Sequence, residues 1–332
     1  MLNENIRVDA SSATGSESRK EWLNLAIAVT LVIAAYFLQD VAVSPVYHWL
    51  RLRLALPHAP SGNPLYCSTY ILLASLRLIW WAAIAGLVYR IEPATIKGIL
   101  PRNRRSSVLL FSGLGIGLLA MVGTILMIAA VGDARFSLTQ GSLFNHVKYG
   151  AGWMLGELIL ASSEELLFRG LILALAARVF GIRVAFLISA AAFMYIHGAN
   201  PGASGIWLAR LGAAGLLLAY SVFRSGSLWW AIGYHAGWNW GSAPLFGAAG
   251  SGYRNEGHIL SFFPQGSSLI TGGAVGPEGS IFAFLAVIIA TALLIFTVRQ
   301  SPNRWHSIKR LKRISTTSRE PSAAASKPPK KD

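Results

Sequence analysis

Eight runs of mostly apolar residues, most of them close to the length of a bilayer span, dominate the 332-residue chain. They cover 22–38, 69–89, 107–131, 151–175, 184–197, 206–223, 227–246 and 280–298, the fifth being short. A helix needs about 20 such residues to cross the hydrocarbon layer. The expected fold is therefore all-α, a polytopic membrane protein with about eight transmembrane helices. Composition agrees: 54% of residues are hydrophobic and 13% charged, with mean hydropathy +0.50, where soluble domains carry about 25% charged residues.

The domain organisation follows. Residues 1–21 form a polar N-terminal segment, 22–298 the transmembrane domain, and 299–332 a basic tail. The N-terminal segment carries both charge signs, unlike a cleavable signal peptide, and the first span reads as an uncleaved anchor. Cys67 is the single cysteine, which excludes an intramolecular disulfide and a cysteine metal cluster; it reads as a packing residue.

The net charge of +15 is concentrated at one end, since the tail holds ten Lys/Arg and two acids. Aromatic residues do not interleave with these bases as nucleic-acid stacking would require, so no nucleic-acid partner is expected. Bases beside a span attract anionic lipid headgroups at about 1 kcal/mol each. Bases also crowd the loops after spans two, four and six and the segment before span one. By the positive-inside rule this bias puts both termini in the cytoplasm. Lone-cysteine usage and compact loops suggest a bacterial inner membrane.

Against this background the stretch "LILASSEELLFRGLILAL" stands out, because Glu164, Glu165 and Arg169 interrupt a membrane span. An ionised side chain near the bilayer centre costs roughly 2.5–3.5 kcal/mol on insertion scales, so such residues are functional candidates by default. Glu165 and Arg169 have the spacing and order of a same-face helical ion pair. Glu164 lies about 100° around the helix from Glu165 and is left without a partner in its own helix. Glu157, two turns earlier, either lines the same cavity or marks the outer interface, and the sequence leaves both open.

Two later spans carry polar groups one turn apart: Phe193 and His197 in "FMYIHG", and His235 and Asn239 in "GYHAGWNW". Arg178, Arg183 and Arg224 serve as cytoplasmic edge markers. Glu164, His197, Asn239 and His235 then lie 14, 14, 15 and 11 residues inside the membrane, or roughly 16–22 Å deep at about 1.5 Å per residue. Four polar groups from three helices thus fall in one thin layer. Arg210 lies 14 residues from Arg224 and reaches the same layer, although snorkelling to the outer interface is the preferred reading. Gly233 and Gly237 form a Gly-x-x-x-Gly pair suited to close helix approach. Gly113, Gly115 and Gly117 read as packing glycines, since no strand precedes them as a nucleotide loop would require.

The residues "EELLFR", "FMYIH" and "HAGWN" resemble, in order, the Glu-Glu-x-x-x-Arg, Phe-x-x-x-His and His-x-x-x-Asn motifs of the CAAX-processing and bacteriocin-processing protease family, the glutamic intramembrane endopeptidases. The resemblance covers about 151–246. It implies a membrane protein that cuts peptides within the bilayer near its cytoplasmic side, somewhat shallower than the depth arithmetic. It also implies site roles without metal or cofactor. Glu164 would be the general base, His197 would share the water and pass a proton, and His235 and Asn239 would face the oxyanion. Glu165, Arg169 and Phe193 would support them. The implied partner is a membrane-associated peptide or protein. Founding members of the family act on prenylated CAAX proteins, but the motifs do not fix the substrate here.

Three other readings compete. A zinc protease would use the glutamate and the histidines as ligands, but no His-Glu-x-x-His is present. A transporter or proton relay would also hold mid-membrane carboxylates, usually with broken helices or inverted repeats, which the sequence does not display. A non-catalytic scaffold or immunity protein would tolerate loss of Glu164. The Gly- and Ser-rich connection 248–278 reads as an idle loop rather than a gate.

Overall fold

The computed structural model describes residues 13–59, 63–96 and 105–301. The basic tail from 302 onward and the first twelve residues lie outside the described residues, and with them the proposed lipid contact.

The chain is a helical membrane protein. Its main helices are α1 (Ala13–Arg53), α2 (Cys67–Ile91) and α3 (Arg105–Val131), then α4 (Leu143–Glu165), which runs through a π-helical segment, Leu166–Ile172, into α5 (Leu173–Phe180). There follow α6 (Ile182–Ile196), α7 (Gly205–Ser225), α8 (Trp229–Trp240), which ends in a second π-helical segment at Gly241–Leu245, and α9 (Phe282–Thr297). Each of the eight apolar runs falls on these helices. The helices containing runs one, two, three and six are long and apolar enough to cross a membrane; α6 and α9 are shorter apolar helices. Large side chains such as Phe37, Phe111, Leu119 and Phe296 are exposed on the outside, as expected where lipid replaces water around the bundle.

Helix ends follow local chemistry more closely than hydropathy. Ser142 and Ser204 cap α4 and α7, each accepting a hydrogen bond from the backbone N–H three residues on, at 3.3 Å, which satisfies one orphan donor of the first turn. Gly226, in the left-handed region at φ 70°, stops α7. The first helix continues to Arg53, well beyond the first apolar run. Asp40 interrupts hydropathy but not helical hydrogen bonding, so a span boundary is not a helix boundary.

Helices α3 and α8 interlock through glycine. A methyl group at Gly233 or Gly237 would overlap the carbonyls of Leu110 and Leu114, and one at Gly113 or Gly117 would overlap the backbone of Trp230 and Tyr234. Each helix thus presents two glycines to the backbone of the other, the close approach expected of small residues four apart. Gly115 faces open space, so only two of the three α3 glycines pack.

Among the described residues, the small exception to the all-helical fold is a two-stranded antiparallel ribbon of β1 (Ala134–Leu138) and β2 (Leu260–Pro264), with Ala134 opposite Pro264 and Leu138 opposite Leu260. β2 belongs to the 248–278 connection, and the expectation of an idle loop is corrected here. Backbone bonds tie the connection to the body, among them Leu65 N–H to Arg254 O at 2.8 Å and Glu256 N–H to Leu65 O at 2.7 Å. Its Gly and Ser content suggested slack, but ten glycines of the described chain adopt positive φ, six of them in the connection, from 252 to 276. There they permit tight turns that other residues resist.

Candidate active site

The π-helical segment directly follows the paired glutamates. Its wider turn lets the Phe168 carbonyl accept from Leu173 N–H, five residues on, and from the Ser189 hydroxyl of α6 at 2.9 Å. π-Segments of this kind are frequent at functional sites, and this one carries Arg169.

Glu165 and Arg169 are 0% exposed and form the expected ion pair, with Nη1 to Oε1 at 3.1 Å. The same Glu165 Oε1 lies 2.9 Å from His235 Nδ1. A buried carboxylate there fixes the imidazole's orientation and places the proton on Nδ1, because the carboxylate can only accept. Sequence reasoning gave Glu165 one partner. The second comes from α8, seventy residues away.

Glu164 points elsewhere. Its side chain is 19% exposed, its Oε2 lies 3.9 Å from His235 Nε2, and that oxygen is buried with no hydrogen-bond partner among the described residues. A separation of 3.9 Å is too long for a direct hydrogen bond and leaves both groups able to meet a third. If His235 is protonated, the cluster of Glu164, Glu165, Arg169 and His235 balances to zero net charge, the condition under which buried charges are tolerated.

Phe193 is the hub that holds these groups. The Arg169 guanidinium sits 4.4 Å from its ring centroid, a cation–π contact, while His197 and His235 flank it at 4.7 and 5.8 Å. His197 Nδ1 lies 2.7 Å from the Phe193 carbonyl. A carbonyl only accepts, so Nδ1 carries the proton, which leaves Nε2 of the neutral ring as an acceptor.

Asn239 is set by a carboxylate that the sequence left undecided. Glu157 is buried, and its Oε2 accepts from Asn239 Nδ2 at 3.1 Å and from the Tyr70 hydroxyl of α2 at 2.9 Å. It belongs to the inside of the bundle and not to the outer interface. With one amide proton held this way, the Asn239 amide keeps a second.

Arg210 departs from its preferred reading. It does not snorkel. It is buried against Glu278, Nη2 to Oε2 at 2.6 Å, and its Nε donates to the Glu278 carbonyl at 3.2 Å. Glu278 also accepts from Ser251 N–H at 3.0 Å. Burial of Arg210 requires an acid, and the acid is supplied by the end of the 248–278 connection, a partner no local spacing could indicate.

These groups surround one cavity. His197, Arg210, His235, Asn239, Ser251 and Glu278 line it, together with apolar side chains, and its volume is about 30 Å³, room for one or two waters. Three of the four residues assigned to the catalytic layer thus meet at one cavity, and Glu164 stands beside His235. Among the described residues no group of three His, Cys, Asp or Glu side chains is placed to hold a metal ion.

Residues 148–241 match the family model described as type II CAAX prenyl endopeptidase Rce1-like. No curated protein matches the chain. The matched segment contains all three motifs, from Glu164 to Asn239, so the resemblance read from those motifs and the family model coincide on the same residues.

Proposed function

We propose that this chain, a member of the Rce1-like family with the CAAX-type intramembrane protease fold, hydrolyses peptide bonds of a membrane-associated substrate through a glutamate-activated water. The observation that carries the reading is Glu164: a carboxylate with an unpartnered buried oxygen, 3.9 Å from a histidine that a second carboxylate orients.

In this scheme Glu164 takes a proton from water as the water oxygen bonds to the scissile carbonyl carbon. His197, a neutral acceptor at Nε2, shares the water. The developing oxyanion needs donors, and two are at hand: His235 Nε2–H of an imidazolium balanced by Glu165, and the second amide proton of Asn239. Preorganised donors in a dry site often supply the largest share of rate enhancement. Glu164 and His197 then return the proton to the amine as the C–N bond breaks. Glu157, Glu165, Arg169 and Phe193 touch none of the reacting atoms and position those that do.

The test is single-turnover cleavage of a peptide library by the purified protein in detergent, with and without a strong chelator. Cleavage that survives chelation supports the glutamic scheme. Inhibition reversed by added zinc replaces it with a metalloprotease.

The charge bias of the loops supports cytoplasmic termini. A reporter fused after Asp332 should read cytoplasmic, and an exported reporter would invert the topology.

A further inference from the structure

The cavity beside the histidines carries hydrogen-bond donors that hydrolysis does not use. Trp230, Tyr234 and Trp238 stack in succession along α8, with ring centroids 5.2 and 6.3 Å apart. Arg210 from α7 sits over the end of the stack, 5.0 Å from the Trp238 ring. Tyr234 and Trp238 both line the cavity and are each 3% exposed. The Tyr234 hydroxyl and the Trp238 indole N–H are buried with no hydrogen-bond partner among the described residues. Buried donors are rarely left unmade. Two of them, on residues that line one cavity next to those assigned to catalysis, point to a place for an acceptor.

We propose, building on the peptidase reading, that Arg210, Tyr234 and Trp238 form a subsite that takes a backbone carbonyl of the peptide substrate beside the bond being cut. Charge selects a carbonyl over a carboxylate. The Arg210 cation is already matched by Glu278 at 2.6 Å, so a carboxylate here would be a buried anion without a counter-charge. Size agrees, since about 30 Å³ admits one oxygen-bearing group and not a side chain. The subsite therefore holds the interior of a peptide and does not read a free C-terminus. The connection ending at Glu278 takes part in recognition, because it sets the charge of Arg210.

The experiment measures capture apart from cleavage. Full-length protein carrying Glu164→Gln, which keeps bound peptides intact, is immobilised in detergent. It is exposed to 12-residue apolar peptides made once as C-terminal carboxamides and once as free acids, with captured peptides counted by mass spectrometry. Carboxamides should be captured at least as well as acids. Adding Tyr234→Phe, or Trp238→Phe, should lower capture of both about tenfold. Thermal unfolding should hold for Tyr234→Phe, whose lost hydroxyl has no partner among the described residues. Strong preference for acids overturns the subsite, as does capture indifferent to both substitutions, which would leave the donors to water. Capture that responds to Tyr234→Phe while wild-type protein cuts nothing keeps the subsite and removes the peptidase. Cleavage indifferent to Tyr234→Phe does the reverse, and a protein that neither captures nor cuts loses both.

Discussion

Replacing Glu164 with glutamine should lower the single-turnover cleavage rate about 10²–10⁴-fold, the usual worth of a general base, while leaving the protein folded. The amide keeps the shape and hydrogen-bonding reach of the carboxylate but cannot take a proton from water. Folding should survive for a physical reason. Among the described residues the buried Glu164 Oε2 has no hydrogen-bond partner for the substitution to remove, and a neutral amide is cheaper to place in a membrane than a charge. One change is expected nearby: His235 loses an anionic neighbour at 3.9 Å. The measurement pairs cleavage of a fixed peptide with thermal unfolding in the same detergent. Full cleavage activity in Glu164→Gln would sink the glutamic mechanism. Loss of activity together with loss of fold would show that Glu164 is structural.

The parts of this protein legible in its sequence are those written in local spacing. Apolar runs gave the helices because lipid leaves a backbone few other ways to satisfy its hydrogen bonds. The Glu165–Arg169 pair was readable because i and i+4 share a helix face, and Gly233 and Gly237 because their spacing admits a neighbouring backbone. Counting from basic edge markers grouped Glu164, His197, His235 and Asn239, and three of the four line one cavity. What escaped was every partner supplied at long range. Glu165 meets His235 seventy residues on, Tyr70 meets Glu157 from 87 residues away, and Arg210 finds Glu278 across 68. Arg210 was read as snorkelling because an arginine without a visible acid has no reason to stay buried. The acid stood at the end of a segment whose glycines and serines suggested slack. The signal was present in weaker form: in a chain with only 14 acids, a glutamate between apolar runs is itself a candidate counter-ion.

The largest expected stability effect is at Glu165. Both Glu165 and Arg169 are 0% exposed, and breaking a buried pair by removing one partner typically costs about 3–5 kcal/mol, because the other charge stays behind uncompensated. Glu165→Gln should therefore lower the unfolding temperature sharply, with activity falling as well. That single variant cannot separate two losses, since Glu165 also accepts from His235 Nδ1. Adding Arg169→Gln does so. With both charges gone no buried ion is stranded, and replacing a whole buried pair is often close to neutral. The double variant should recover most of the lost stability. Activity should not return with it, because His235 still lacks the carboxylate that orients it and balances its charge. Its oxyanion donor is then weaker, so turnover should fall more than substrate binding, the pattern of an interaction made chiefly in the transition state. A double variant that regained both fold and turnover would reduce Glu165 to a counter-ion for Arg169. Unaltered stability in Glu165→Gln alone would mean that the pair is not buried in the membrane-embedded protein.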